Sequence, residues 1–194
     1  MTTANKVTIF RILLIPFFVV EVLYYARTGH EWMRLLGLAA FALASILDAV
    51  DGFIARRFNQ RSELGAILDP LADKFLLVSG VVVLSFDNQP RLGCVPLWLT
   101  GTIIGRDVVI LAGMLVIHLV VGKVRVGPRW VGKVATVFQM AVVLWILLRW
   151  DERAMFWLAL AGAICTGISG LLYVWDGVRQ LSAHPASGPV KVPE

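Results

Sequence analysis

Four aspartates stand out in this sequence because of their spacing and their apolar surroundings. Asp48 and Asp51 are three residues apart, and Asp69 and Asp73 are four apart, in a chain of which only 16% is charged. On a helix each pair projects from one face, so two helices can present four carboxylates to one point. Crowded ionised acids in an apolar setting repel one another unless cations neutralise them. Hard divalent cations, Mg²⁺ above all, are the natural partners.

Two residues beside the first acidic pair suit a phosphate ligand. Gly52 leaves room for a ligand to approach the backbone. Arg56, one helical turn further on, carries a planar donor fork that matches phosphate oxygens. The residues alone therefore predict a site for metal and phosphate in the stretch 48–73.

The same residues belong to a longer pattern of eight specified positions: Asp48, Asp51, Gly52, Ala55, Arg56, Gly65, Asp69 and Asp73. This pattern resembles the D-x2-D-G-x2-A-R-x8-G-x3-D-x3-D signature of the CDP-alcohol phosphotransferases, with no position missing. The resemblance continues at residues 5–11, 68–74, 105–107 and 132–136. It is strongest to the branch that contains bacterial phosphatidylglycerophosphate synthase and the eukaryotic-type cardiolipin synthase.

The resemblance implies an enzyme that moves the phosphatidyl group of CDP-diacylglycerol to an alcohol hydroxyl and releases CMP, in anionic phospholipid biosynthesis. It implies two Mg²⁺ ions, with Mn²⁺ as a substitute, held by Asp48, Asp51, Asp69 and Asp73. It also makes Asp73 the general base that takes the proton of the acceptor hydroxyl.

The resemblance further implies two sets of substrate-binding residues. Those for CDP-diacylglycerol are Asn5, Thr8, Arg11, Gly52, Arg56 and Ser62, and those for the acceptor are Arg106 and Lys133. Two alternatives stay open from the residues themselves. Arg11 could reach the membrane interface by snorkelling, and Arg106 could form a structural ion pair with another helix.

The acceptor is less sharply defined than the donor. Glycerol-3-phosphate is placed first as the commoner bacterial acceptor. Phosphatidylglycerol is the alternative, because Met114 stands where phosphatidylglycerophosphate synthases carry a second arginine, and because Asp107 follows Arg106 in place of the commoner glutamate. A rival from another class is an intramembrane cation transporter, since carboxylates in a membrane also mark ion pathways. That function would not account for Gly52 and Arg56.

Composition predicts the architecture that must position these residues. With 58% hydrophobic residues and a mean hydropathy of +0.78, the chain is typical of a polytopic membrane protein. Six apolar windows predict an all-α bundle of six transmembrane helices, at 7–26, 33–53, 71–86, 97–120, 134–149 and 154–175. The resemblance implies that this bundle is of the CDP-alcohol phosphotransferase type. We expect one transmembrane domain over 1–181 and a disordered tail over 182–194. The first apolar run lacks a signal-peptide cleavage site and is expected to remain as a span.

Basic residues predict the orientation of the bundle. Apart from Arg106, twelve Lys and Arg fall on the side of the acidic motif and five on the other. The positive-inside rule then places both termini and the motif on the cytoplasmic face of a bacterial-type inner membrane. The net charge of +5 suits membrane lipids and phosphate substrates, and no nucleic-acid-binding motif accompanies it. The resemblance, with small-residue faces on several helices, indicates a homodimer.

The metal assignment makes the first prediction. Changing Asp48, Asp51 or Asp69 to Asn removes a charge and keeps the volume, so turnover should be abolished with little loss of folded protein. Activity assays at saturating Mg²⁺ check it, and near-normal activity in any of the three variants would count heavily against the metal assignment.

Overall fold

The computed structural model describes residues 3–58, 63–86, 91–121 and 130–182. Over these residues the chain forms six α-helices and no strand. Their bounds are α1 Thr3–Thr28, α2 Glu31–Phe58, α3 Glu63–Ser85, α4 Leu97–Val121, α5 Trp130–Leu147 and α6 Glu152–Ser182. The predicted all-α fold class is confirmed.

Four helical segments among the described residues are long and apolar enough to cross a membrane: Val7–Thr28, Leu97–Ile117, Trp130–Leu147 and Glu152–Gln180. The chain is therefore an integral membrane protein. Because α2 and α3 are not among these four segments, the count of six spans stays a prediction.

The start of α3 corrects the sequence interpretation. The sequence placed the apolar span from residue 71 and Pro70 in the first turn of the helix, but the helix begins at Glu63. Pro70 therefore lies inside the helix, where its missing N–H removes one backbone hydrogen bond. The residues before it include the strong helix formers Leu64 and Ala66, which favour a helix although they extend it beyond the apolar window.

Helices α2 and α6 also run past their apolar windows. The predicted ends were 53 and 175, whereas α2 continues to Phe58 and α6 to Ser182. Backbone hydrogen bonding does not stop where side chains become polar, so hydropathy locates the apolar part of a helix and not its end. The predicted tail lies outside the described residues from residue 183 onward.

The chain divides into two compact units, and the first comprises residues 1–96 and 139–156. In it α1 packs against α2 and α3, and α2 contacts α3. Phe18 and Phe41 form part of the buried core, with ring centroids 5.3 Å apart. A Cβ at Gly80 would lie 3.2 Å from Phe41 and from Val143. The absence of a side chain there lets α3 approach its neighbours closely.

Helix α1 contains Pro16 near its middle. Proline has no N–H, so the α-helical hydrogen bond to the carbonyl of Ile12 cannot form. The helix continues on both sides, from Thr3 to Thr28. Pro16 thus separates the half of α1 that carries Arg11 from the half that carries Tyr25.

The second unit comprises residues 97–138 and 157–194. Its described part contains α4, the beginning of α5 and most of α6. Small residues of α6 allow close packing: a Cβ at Gly162 would lie 3.3 Å from Phe138, and one at Gly177 would lie 3.5 Å from Ile117.

Candidate active site

Helices α1 and α2 bring Arg11 and Asp48 together. Arg11 Nη1 donates a hydrogen bond to Asp48 Oδ1, and the two side chains form a salt bridge. Arg11 is only 1% exposed, whereas the Asp48 side chain is 35% exposed. Arg11 therefore lies inside the bundle and does not snorkel outward.

The burial of Arg11 explains why a carboxylate must stand beside it. Moving a guanidinium from water into an apolar interior costs several kcal/mol unless an anion and further hydrogen bonds compensate. Asp48 supplies that anion, so the contact between α1 and α2 is fixed at this point. Because Asp48 remains partly exposed, its carboxylate is open to water and to a ligand as well as to Arg11.

The second acidic pair lies on α3, which contacts both α1 and α2. Asp73 is half-buried there. Each acidic pair belongs to one continuous helix, as the spacing argument required. Thr8, assigned to the CDP-diacylglycerol site, is buried on α1 at 1% exposure.

Several predicted site residues cannot be placed by their side chains. The backbone of α2 includes Asp51, Gly52 and Arg56, that of α3 includes Asp69, and that of α1 includes Asn5, but their side chains lie outside the described set. Ser62 lies outside the described residues altogether.

The donor chemistry of the motif fits a divalent cation. Carboxylate oxygens are the ligands that Mg²⁺ and Mn²⁺ prefer, and the two helices that carry these acids touch one another. Among the side chains that the structure describes, no three acidic, histidine or cysteine residues form a metal-sized group, and Asp51 and Asp69 are not among those side chains. The complete ligand set therefore stays a prediction.

Arg106, in the second unit, occupies a close-fitting polar niche. Its Nη1 donates to Asp107 Oδ1 at 2.8 Å, and its Nη2 donates to Ser169 Oγ at 3.2 Å. The guanidinium carbon lies 5.8 Å from the centroid of the Tyr173 ring. A Cβ at Gly170 would stand 3.2 Å from Arg106 Cγ. Helix α6 thus adds contacts to the one that Arg106 makes with the adjacent Asp107.

One donor of Arg106 has no partner in the described part of the chain: Nε is buried and makes no hydrogen bond there. A buried, unsatisfied donor on a cation costs free energy, so an anion at this point would stabilise the niche. Gly132 forms part of its wall, because a Cβ there would lie 3.2 Å from Arg106 Nη2 and 3.8 Å from Tyr173 Oη.

Lys133 follows Gly132 on α5. Its side chain is exposed, and its ammonium lies 5.2 Å from the centroid of the Trp130 ring. Met114 instead lines an apolar cleft of about 250 Å³ between α4 and α6, together with Tyr173 and Gly177. Of the predicted acceptor residues, Arg106 thus lies beside Gly132, the residue that precedes Lys133. Met114 contributes no charge.

Ser169 and Tyr173 are candidate site residues that the sequence argument missed. They stand four residues apart on α6, so they share one face of that helix. Polar side chains at this spacing in a long apolar helix are the one signal that could have marked them. Nothing in the sequence pairs them with Arg106, which lies 63 residues before Ser169.

The chain is similar to known proteins over most of its length. The model of the CDP-alcohol phosphatidyltransferase family matches residues 1–168. A protein of Salmonella paratyphi A named CDP-diacylglycerol--glycerol-3-phosphate 3-phosphatidyltransferase is 34% identical over 176 residues, 91% of each chain. An Escherichia coli protein of the same name is 34% identical over 179 residues, 92% of each chain.

The ion pair at the site makes a prediction about stability. In a double-mutant cycle of Arg11→Gln and Asp48→Asn, the two losses in the free energy of unfolding should be non-additive, with a coupling free energy of about 0.5 to 3 kcal/mol. The reason is that either change alone already breaks the pair. Reversible unfolding of the metal-free protein in detergent measures it.

The matched control for this cycle is Arg11→Gln combined with Glu31→Gln. Glu31 lies on the same helix as Asp48 but seventeen residues before it, so these losses should add within about 0.5 kcal/mol. Additive losses for Arg11 and Asp48 themselves would show that the pair contributes no coupling.

Proposed function

The chain belongs to the CDP-alcohol phosphatidyltransferase family, and we propose that it transfers the phosphatidyl group of CDP-diacylglycerol to glycerol-3-phosphate. The observation that carries the proposal is the complete acidic motif, whose Asp48 is held by a buried arginine. The names of the relatives support the choice of donor and acceptor.

The reaction is a single displacement at the phosphorus that bears the diacylglycerol. The acceptor hydroxyl oxygen forms a bond to this phosphorus, and the bond from the phosphorus to the bridging pyrophosphate oxygen breaks. CMP leaves with the bonding electron pair. We assign to Asp73 the removal of the hydroxyl proton.

The remaining motif residues bind and orient the donor. Asp48, Asp51, Asp69 and Asp73 would hold divalent cations, which we take to be two Mg²⁺ with Mn²⁺ as a substitute. Such ions neutralise charge on a pyrophosphate and on a departing phosphate. Arg11 keeps the Asp48 carboxylate in place on α2. The CDP portion is assigned to Asn5, Thr8, Gly52, Arg56 and Ser62.

The acceptor phosphate is assigned to Arg106 and Lys133. Arg106 suits this task because its guanidinium is fixed by Asp107 and Ser169 while its buried Nε still lacks a partner in the described chain. A donor that is already ordered loses little conformational entropy when an anion binds. Lys133 is exposed and can add a mobile second charge.

Phosphatidylglycerol as acceptor, the cardiolipin synthase reaction, is the second candidate. One observation favours it: Met114 lines an apolar cleft that also includes Tyr173, the residue whose ring lies beside Arg106. An apolar wall at that position would tolerate a lipid better than a phosphate dianion.

We place the active site on the cytoplasmic side of a bacterial-type inner membrane, where a soluble acceptor and CMP can exchange. Charge distribution supports this orientation. Arg34, Arg91 and Arg149, three of the five cations assigned to the other side, lie together at the end of the first unit remote from Asp48.

A homodimer is the assembly we propose, from the family resemblance and the small-residue faces of several helices. The measured mass of the protein in nanodiscs or mild detergent should equal two chains. A monomer that is active at nanomolar concentration would refute this proposal.

The acceptor makes a prediction about kinetics. Changing Arg106 or Lys133 to Met should raise the KM for glycerol-3-phosphate, or lower kcat/KM, by roughly one to two orders of magnitude, because each change removes a charge-assisted contact. Met114→Arg should leave the affinity similar or improve it. Arg27→Met, an exposed arginine at the end of α1, is the matched control and should change neither parameter.

One assay decides between the two acceptors. Radiolabelled CDP-diacylglycerol is offered with glycerol-3-phosphate and with phosphatidylglycerol in separate reactions, and the products are resolved by chromatography. Product from phosphatidylglycerol alone would overturn glycerol-3-phosphate as acceptor and leave the catalytic assignments intact. If CMP is released from the CDP-lipid when neither acceptor is present, that result would argue against the transferase itself.

A further inference from the structure

A second cavity lies in the first unit, far from the acidic motif. Its volume is about 430 Å³, and it is enclosed by the segment 91–93, the end of α5 and the start of α6. Arg149, which lines it, donates a hydrogen bond to Glu31, the first residue of α2. Glu31 precedes Asp48 by seventeen residues, which corresponds to about 25 Å along a helix. The cavity therefore lies at the end of the first unit that is remote from Asp48.

Charged residues of both signs line this cavity. The cations are Arg91 and Arg149, and the acids are Asp151 and Glu152, so the formal charges of the lining cancel. A neutral lining with separated charges does not favour a purely anionic ligand. It matches a ligand that carries a positive and a negative group some distance apart.

Each of the two arginines is held by a hydrogen bond to another part of the first unit. Arg91 Nη1 donates to the Ala26 carbonyl at 2.6 Å, and Arg149 Nη1 donates to Glu31 Oε1 at 2.9 Å. Arg34 also donates to Glu31, and this hydrogen bond is the main reason that the pKa of Glu31 lies below its ordinary value. Each guanidinium carries five N–H donors. Anchored through one of them, it still offers a planar fork that matches a phosphodiester.

The turn between α5 and α6 is built to hold this lining. Arg149 adopts a φ of 56°, which non-glycine residues rarely do. Trp145 and Trp150 pack edge to face with centroids 4.6 Å apart, and Trp145 Nε1 donates to the Asp151 carbonyl at 3.0 Å. The turn thus fixes one cation, one acid and two aromatic rings around the same space.

The position of the cavity indicates a lipid as the source of the ligand. Trp150 is 54% exposed, and Trp32, in the first turn of α2, is 70% exposed. Tryptophan is enriched where membrane meets water, with its ring among the head groups. Cavities of a few hundred cubic ångströms are the usual size for a bound small molecule.

We propose that this cavity binds the head group of a zwitterionic phospholipid with a primary ammonium, with the phosphate on Arg91 and Arg149 and the ammonium on Asp151 and Glu152. A primary ammonium is favoured over a quaternary one because only the former donates hydrogen bonds to carboxylates. The proposal does not depend on the transfer reaction.

The test compares lipids of different head group on the full-length protein in detergent by native mass spectrometry. Phosphatidylethanolamine should bind roughly tenfold more tightly than phosphatidylcholine or phosphatidylglycerol of the same acyl chains, the worth of one charge-assisted contact. Equal binding of the three lipids would overturn the proposal. Soluble glycerophosphoethanolamine is a fourth ligand, and if it binds as tightly as the lipid, a free phosphodiester and not the membrane is the source.

Two variants with a matched control assign the binding to this cavity. Glu152→Gln should abolish most of the preference for phosphatidylethanolamine over phosphatidylcholine, and Arg149→Gln should weaken both. Arg153→Gln, exposed in the first turn of α6 but outside the cavity lining, should change neither. If Arg149→Gln fails to fold, Glu152→Gln still decides, because an unchanged preference in that variant contradicts the proposal.

Discussion

Arg11 and Asp48 together satisfy the requirement that a charge inside an apolar bundle must have a partner. A buried guanidinium cannot stand alone, so the helix that carries Arg11 must lie against the helix that carries Asp48. Helix α3, which carries Asp69 and Asp73, contacts both of these helices. The ion pair thus fixes one point of the α1–α2 contact beside the helix that carries the second acidic pair.

The sequence predicted what local patterns can specify. The apolar run of α4 was placed at 97–120 and the helix spans Leu97–Val121, because apolar residues continue to both ends of this helix. The start of α3 was wrong by eight residues, because Pro70 resembled a first-turn residue and the helix continues through it. Side-chain pairs distant in sequence were beyond reach: Arg149 with Glu31, or Ser169 with Arg106, have no periodicity that connects them.

Polar chemistry in this protein is concentrated at separate points of largely apolar helices. In the first unit, one point surrounds Asp48, and the other surrounds Glu31, Arg91 and Arg149. In the second unit, Arg106 is enclosed by residues of α4, α5 and α6. Ion pairs and hydrogen bonds offset the cost of burying these charges, but the buried Nε of Arg106 makes no hydrogen bond in the described part of the chain. An incoming phosphate would replace water or fill an unused donor without breaking the packing.

Pro16 interrupts the backbone hydrogen bonding of α1, as Pro70 does in α3, whereas α2 contains no proline. The residues before it are tied to α2 through Arg11, and those after it are tied to the start of α2 and to segment 91–93 through Tyr25. With the hydrogen bond to Ile12 missing, the helix bends at this point at the lowest cost. Its halves can therefore tilt separately, as two rods joined by a hinge, so bilayer thinning or curvature felt at the Tyr25 end need not move the carboxylates of the acidic motif.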